Sequence, residues 1–178
     1  MSDIKEIEIT SQRQYYKLLD GYWNNYEIPP KMFSIRNCSS FLLTRGMAGV
    51  QICVYNSLID IYNGMSVVAH DSTVKLYDSS CVVAKNCEVF SSDKSEVNSY
   101  GRSSVCAYDS SLVRAYDTTN VRILSRSNTI NRGITVHLYN ESSISNQEAK
   151  KEDRLLVYRH SKESSFNLIN NAKIINST

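Results

Sequence analysis

Valine and isoleucine recur at nearly constant intervals through the middle of the chain. The pattern is clearest in two adjacent copies, Val105-Cys106-Ala107-Tyr108-Asp109 and Val113-Arg114-Ala115-Tyr116-Asp117. In a β-strand the first and third positions of each copy point to the same side, so the sequence predicts one apolar face per strand. The Asp that follows is typical of a turn, because its side chain bonds to nearby backbone amides. A tandem array of this kind is the signature of a solenoid.

The intervals between the apolar anchors indicate how many strands form one coil. From Ile52 to Val97 the intervals alternate between 7 and 8 residues, and from Val97 to Val121 each is 8. Weaker copies follow at Ile130, Val136 and Ile144. A strict alternation requires two kinds of turn, hence two strands and 15–16 residues in each coil. The prediction is an all-β, single-stranded β-solenoid of right or left hand with two facing sheets; a three-sided β-helix is the alternative.

The flanking sequence predicts a cap at each end of this array. Stacked strands end in unpaired N–H and C=O groups, and natural repeat proteins cover those ends. Residues 1–31 are predicted to form the N-terminal cap, residues 32–145 the solenoid repeats, and residues 146–178, which begin with a charge-rich stretch, the C-terminal cap. The whole chain has the size of one domain.

The N-terminal cap is predicted to contain a short strand and one helix. Residues 6–10 alternate Glu and Ile before a threonine, which indicates a strand. Ser11 and Gln14 have the spacing of a capping box, and Gly21 is a typical helix stop. A helix is therefore expected over residues 11–20.

Charge and hydropathy exclude several classes of function. Lys and Arg total 20 and Asp and Glu total 18, giving a formal net charge of +2. A dedicated nucleic-acid binder has a clear basic excess, and this chain has none. No apolar run approaches the roughly 20 residues of a membrane span, and residues 1–6 are charged, unlike a signal peptide. A cytoplasmic protein with no membrane partner is expected.

The reactive side chains do not form a recognisable catalytic or metal-binding motif. The five cysteines include no Cys-x-x-Cys pair, and His70, His137 and His160 are widely spaced. Reduced thiols that pack as small residues in a cytosolic protein account for the cysteines. No nucleophile motif and no glycine-rich phosphate loop is present. The sequence therefore predicts no metal, no cofactor and no catalytic residue.

Outward-pointing tyrosines and arginines are the candidate binding residues. We expect one column of tyrosines at Tyr62, Tyr77, Tyr108 and Tyr139, and another at Tyr55, Tyr100 and Tyr116. They form either a ladder that stabilises the sheet, a rigid recognition surface, or a platform for sugars. For the arginines, ordinary solvated charge on the repeat face is the default interpretation, and the alternative is a basic patch for an acidic protein or a nucleic-acid backbone. These residues are Arg102, Arg114, Arg122, Arg126 and Arg132.

The repeated phrase resembles the octad-repeat β-solenoid proteins of phage and bacterial genomes. Three segments carry the resemblance: Ser66-Val67-Val68-Ala69-His70-Asp71, Ser104-Val105-Cys106-Ala107-Tyr108-Asp109 and Leu112-Val113-Arg114-Ala115-Tyr116-Asp117. The resemblance covers residues 1–145 and implies the solenoid fold. It implies no shared activity.

These observations predict a protein that works by presenting a surface. The leading hypothesis is a non-enzymatic phage or mobile-element protein that binds a macromolecular protein partner in the host cytoplasm. Inhibition of a host defence complex of the CRISPR type is one concrete form of it. The alternatives are a structural virion or fibre component that self-associates, and a carbohydrate-binding or carbohydrate-degrading β-helix. A nucleic-acid partner, bound through the basic patch, is less favoured than a protein.

Overall fold

Short parallel strands, wound as coils, form nearly all of the protein. The computed structural model describes residues 6–25, 31–124, 132–148, 154–168 and 172–176. Within these ranges the strands form a ten-stranded sheet A and an eight-stranded sheet B, and from the second strand onward successive strands alternate between the two sheets. The pairs within each sheet are parallel. The predicted solenoid with two strands per coil is confirmed, and the three-sided alternative is wrong.

The strands and the helix are numbered in chain order. The helix is α1 (Gln12–Asn25). Sheet A contains β1 (Glu6–Ile9), β2 (Met32–Arg36), β4 (Gln51–Tyr55), β6 (Ser66–His70), β8 (Cys81–Lys85), β10 (Glu96–Tyr100), β12 (Leu112–Ala115), β14 (Arg132–Leu138), β16 (Arg154–Arg159) and β18 (Ala172–Asn176). Sheet B contains β3 (Phe41–Leu43), β5 (Leu58–Ile61), β7 (Thr73–Leu76), β9 (Glu88–Ser91), β11 (Ser104–Ala107), β13 (Asn120–Leu124), β15 (Ser143–Glu148) and β17 (Ser165–Asn167).

The core lies between the two sheets and consists of columns of like residues. In β12, Val113 and Ala115 are buried and Arg114 between them points outward, which is the alternation of a strand with one buried face. The register pairs Val97 with Val113 and Ser99 with Ala115, so the same position of each coil stacks on the next. Each buried valine contributes about 1.5–3 kcal/mol, and the stability of the stack is a sum over similar layers.

Two successive coils are longer than the regular ones and change the assignment of the strands that follow. Regular coils advance the chain by 15 or 16 residues. In contrast, Ala115 pairs with Leu138, 23 residues further along, and Leu138 pairs with Arg159, 21 residues further along. The predicted anchor Ile130 lies outside the described residues. Leu138 belongs to β14 in sheet A, and Tyr139 directly follows it. The predicted placement of Tyr139 in the column of Tyr62 is therefore wrong.

The N-terminal helix begins as predicted but ends later. The Ser11 hydroxyl accepts a hydrogen bond from the Gln14 amide at 3.3 Å, as in a capping box. The helix continues through Gly21 to Asn25, so the predicted end at residue 20 is wrong. Glycine stops a helix when it adopts the left-handed conformation, and Gly21 does not adopt it. Inside a helix it costs only about 1 kcal/mol relative to alanine, which tertiary packing outweighs.

Helix α1 covers the first strand of sheet B. The Gln12 side-chain amide donates to the Leu42 carbonyl at 2.9 Å, and its oxygen accepts the Leu42 amide at 2.6 Å. These two bonds replace those that a neighbouring strand would make with β3. Tyr15 and Leu19, on the inner face of the helix, are fully buried. The helix therefore closes this end of the core, and β1 continues sheet A beside it.

Left-handed residues with polar side chains make the turns between the strands. Among the described residues, all non-glycine residues with positive φ are Asn or Asp, the types that tolerate this conformation. Their side chains also bond between coils: the Asn63 amide donates to Asp78 Oδ2 and the Asp78 amide to Asp93 Oδ2, each at 3.1 Å. The chain needs few glycines because Asn and Asp occupy these positions.

Substitution of Asp78 is expected to separate the two contributions of a turn residue. Asp78 has φ 58° and accepts the Asn63 amide. Asp78→Val should cost about 2–3 kcal/mol of unfolding free energy, because a β-branched residue is strained there and the hydrogen bond is lost. Asp78→Gly, which relieves the strain alone, should cost less, and Asp78→Asn, which retains both features, about 0.5 kcal/mol or less. Denaturant melts of the three variants measure this order, and equal losses would contradict it.

The sheets continue through the segment that follows residue 145. Strands β16 and β18 extend sheet A, with β16 paired to β14 and β18 paired to β16. Strand β17 extends sheet B by pairing with β15. Parallel pairing thus continues to the last described strand, with register shifts between Arg122 and Leu124 and between Arg132 and Ile134.

Candidate binding surface

A column of aromatic and cationic side chains runs along one edge of sheet A. Its members follow the last inward position of eight sheet A strands, from β2 to β16, and precede the turn to sheet B. We call this column the sheet A ladder. It comprises Arg36, Tyr55, His70, Lys85, Tyr100, Tyr116, Tyr139 and His160.

The fold produces this column from the position of the turns. Parallel strands in register place equivalent residues one strand spacing apart, about 4.8 Å, which is close to the distance at which aromatic rings stack. Asn56, Asp71, Asn86 and Asp117 follow the ladder residues of their coils and adopt positive φ. The turn therefore begins at the same point in these coils, which keeps the ladder residues in one line.

The N-terminal part of the ladder begins with a cation over a ring. The Arg36 guanidinium lies 4.2 Å from the centroid of the Tyr55 ring. Tyr55 stacks on His70 at 5.2 Å between centroids, with an interplanar angle of 7°. Lys85, which is exposed, follows His70 and precedes Tyr100.

The C-terminal part of the ladder is a continuous stack of four rings. Tyr100 and Tyr116 are 4.7 Å apart between centroids, Tyr116 and Tyr139 are 4.5 Å apart, and Tyr139 and His160 are 4.3 Å apart. The interplanar angles are 4°, 10° and 5°. Burial raises the pKa of Tyr116, so its phenol is a hydrogen-bond donor at neutral pH.

A second aromatic pair lies beside this stack on the outer face of sheet A. His137 stacks on Tyr158 at 4.5 Å between centroids. His137 Nδ1 and His160 Nε2 lie 3.0 Å apart, which joins the pair to the ladder. Burial, together with the charges of His160 and Arg114, lowers the pKa of His137. At neutral pH His137 is therefore uncharged and extends the aromatic surface.

Carboxylates neutralise the arginines of this face. Arg114 forms an ion pair with Glu96 and also donates to Asn98 Oδ1 at 3.3 Å. Its bond with Glu96 raises the pKa of Arg114. Arg36 lies within 4.0 Å of carboxylate oxygens of Glu6 and Glu8. The face combines aromatic edges with paired charges, and Arg36 and Arg114 add little net positive charge to it.

The remaining candidate tyrosines lie on the opposite edge, where sheet B ends. Tyr62 and Tyr77 stack at 4.4 Å with an interplanar angle of 6°. Tyr108 belongs to the same column, and buried Ser92 occupies the position between Tyr77 and Tyr108. Tyr139, which the sequence predicts in this column, lies in the sheet A ladder instead.

The candidate arginines do not form one patch. Arg114 points outward from sheet A, Arg122 points outward from sheet B, and Arg102 is exposed in a turn between the sheets. Arg126 lies outside the described residues, and of Arg132 only the backbone, in β14, is described. Arginines close together in sequence are thus placed on opposite faces, because each coil visits both sheets.

Several members of the ladder were not among the candidates selected from the sequence. Arg36, His70, Lys85 and His160 occupy ladder positions but lack the tyrosine of the Val-x-Ala-Tyr phrase. For Arg36, His70 and Lys85 the available signal is position alone: each directly follows the last inward residue of its strand. His160 carries no such signal, because the two long coils before it, of 23 and 21 residues, shift the count.

The stacking determines what the ladder presents to a ligand. The ring faces are covered by their neighbours in the stack, so the exposed parts are ring edges and phenol and imidazole polar atoms. A sugar stacks on a free ring face, and such faces remain only where a stack ends. A flat row of edges and hydrogen-bonding groups fits a protein surface better, since it offers large contact area on side chains that are already ordered.

The acidic and thiol side chains have structural partners. The carboxylates of Asp93 and Asp117 accept turn amides, and Asp71 accepts the Asn86 side chain. Burial raises the pKa of the thiols of Cys38 and Cys87, which are protonated and weakly nucleophilic at neutral pH. The described residues include no group of three or more His, Cys, Asp or Glu arranged to hold a metal ion.

Comparisons with protein-family models, with curated proteins and with solved structures found no match to this chain. In the part of the chain that the structure describes, α1 is too short and too polar to cross a membrane, and there is no other helix that could.

Proposed function

We propose that this protein is a non-enzymatic binding protein and that the sheet A ladder docks on a protein partner. The observation that carries the proposal is the continuous stack of Tyr100, Tyr116, Tyr139 and His160 on the outer edge of a rigid sheet. Tyrosines that are already ordered lose little conformational entropy on binding, which is why they dominate binding hot spots.

The charges on this face favour a protein over a nucleic acid. Nucleic-acid binding depends on unpaired Lys and Arg that release counterions, and it weakens steeply with salt. Here Arg36 and Arg114 are each paired with carboxylates of the same face. Recognition by ring edges and hydroxyl groups depends little on ionic strength. We therefore expect the affinity for the partner to change by less than about tenfold between low and physiological salt.

Matched tyrosine variants test the proposal. The double variant Tyr100→Ser, Tyr116→Ser removes the centre of the ladder, and the control Tyr62→Ser, Tyr77→Ser removes a stacked pair from the opposite edge. The immobilised protein captures a partner from host lysate, and the partner is purified. The affinity of each variant for the purified partner is then measured by interferometry. We expect at least about a hundredfold loss of affinity for the ladder variant and less than about threefold for the control. Equal affinities of the two variants would assign the binding site to another surface.

A partner from a host defence complex would make this protein an inhibitor. In that case, expression of the protein should restore phage plating on cells that carry a CRISPR-type system, and the Tyr100→Ser, Tyr116→Ser variant should not. If the ladder variant restored phage plating as well as the wild type does, inhibition would not depend on the ladder.

A further inference from the structure

The two sheets end at different heights at the C-terminal end of the described coils. Sheet A ends with β18, which pairs with β16, whereas sheet B ends with β17, which belongs to the coil of β16. No strand of sheet B is described opposite β18. Within the described residues, sheet A therefore projects one strand beyond sheet B and leaves a step.

Apolar core residues are exposed on this step. Ile174 stacks on Val157, which is fully buried, yet Ile174 is itself 44% exposed. Phe166 continues the inward column of Ile144 and is only half-buried. Ile174 points toward the position that a further strand of sheet B would occupy. Phe166 borders that position from β17, with the Arg159 guanidinium 5.2 Å from its ring centroid. At the other end of the solenoid, α1 occupies the corresponding position.

We propose that a second copy of this chain fills the step and forms a two-fold symmetric dimer. With the two-fold axis parallel to the strands, sheet A of the second copy continues the line of sheet B of the first. The projecting β18 of each copy then lies beside β17 of the other, antiparallel to it. Because the projection and the gap are both one strand deep, the two ends interlock without a hole.

The other simple arrangement leaves a hole. A two-fold axis perpendicular to the sheets would pair β18 with its own copy. Since each sheet B ends one strand lower, the two copies of sheet B would remain separated by two strand positions. The apolar side chains of Ile174 and Phe166 would stay in contact with water, so this arrangement buries less of the exposed core.

The register of the proposed pair is compatible with the side chains. Alignment of the inward residues places Ile174 of one copy beside Phe166 of the other. On the outer face, Lys173 then lies beside Asn167, and Ile175 beside Ser165. No like charges face each other, and the antiparallel pairing satisfies backbone groups at the edges of both β17 and β18.

The same geometry limits the assembly to two copies. Head-to-tail stacking would require β3 to accept a strand, and Gln12 of α1 already bonds to the Leu42 amide and carbonyl. The first strand of sheet A, β1, is short and carries Glu6 and Glu8 at its outward positions, a pattern that disfavours edge pairing. The dimer is therefore closed and does not extend into a fibre.

Sedimentation velocity and engineered crosslinks test the dimer. The wild type should sediment as a dimer at about 100 µM, and Ile174→Asp as a folded monomer, with at least about a hundredfold weaker association. The control Val83→Asp replaces another exposed apolar residue, 37% exposed and far from the step, and should remain dimeric. A monomeric wild type, a higher oligomer, or a dimer that persists in Ile174→Asp would overturn the proposal.

Engineered cysteine pairs test the strand register of the proposed interface and do not depend on whether Ile174→Asp folds. In the double variant Asn167→Cys, Lys173→Cys, the two cysteines lie on different sheets of one chain but side by side across the proposed interface. Mild oxidation should give a covalent dimer, while each single variant should stay monomeric on a denaturing gel. Absence of the covalent dimer from a protein that sediments as a dimer would overturn the proposed two-fold axis.

Discussion

Replacement of Val105 by aspartate is expected to abolish the cooperative unfolding transition. Val105 is fully buried and lies between Val89 and Val121 in the inward column of sheet B. A carboxylate there has no partner among the apolar side chains, and its burial costs more than about 4 kcal/mol, a large part of the stability of a domain of this size. Val105 also stacks in register with valines of the coils on both sides, so the substitution separates the coils before it from those after it.

The matched control for this variant is Arg122→Asp. Arg122 pairs in register with Cys106, the residue after Val105, and is exposed on the outer face of sheet B. The same aspartate at this position should change the unfolding free energy by about 0.5 kcal/mol or less. Circular dichroism melts of both variants are compared with the wild type. A native-like melt of Val105→Asp would show that the inward and outward positions have been exchanged.

Truncation of Tyr15 to alanine is expected to release the N-terminal helix. The Tyr15 ring packs edge-on against Phe33 at 5.6 Å and Phe41 at 5.5 Å between centroids, and its hydroxyl donates to the Arg45 carbonyl at 2.7 Å. Loss of a buried aromatic side chain costs about 3–5 kcal/mol. Because coils contact only their neighbours, the damage should be confined to the first coils and should expose the edge of β3.

The variant Tyr15→Phe separates packing from the hydrogen bond. Phenylalanine retains the ring contacts and leaves only the Arg45 carbonyl without its donor, at a cost of about 1–3 kcal/mol. Denaturant unfolding measures both losses, and light scattering detects association through the exposed β3 edge. We expect scattering to rise for Tyr15→Ala and not for Tyr15→Phe. Equal losses in the two variants would mean that the helix is held by other contacts.

The ladder and the step are distinct features, and we propose a different partner for each. The ladder is an outer edge whose ring faces are occupied and whose polar edges face solvent, which suits a foreign protein surface. The step exposes core side chains and strand edges, which suits a copy with the same shape. A dimer of the proposed form would carry two ladders, and a bivalent partner would then be bound more tightly than one ladder allows.

The sequence determined the repeating part of this structure because the physics there is local. The two-residue alternation fixed which side chains face the core, and the 7–8 residue intervals fixed two strands per coil. Asp78, Asp93 and Asp109 marked the turns, since their side chains tolerate positive φ and bond to neighbouring amides. The spacing of Ser11 and Gln14 likewise marked the helix start.

Only the tertiary structure decided how the repeats combine into surfaces. Coils of 23 and 21 residues place Tyr139 and His160 on the sheet A ladder, and no local pattern reveals on which sheet the chain resumes after such coils. The same alternation placed Arg114 and Arg122, eight residues apart, on opposite faces. Side-chain stacking and strand pairing join residues from different coils, so their outcome depends on register, which the complete stack of coils sets.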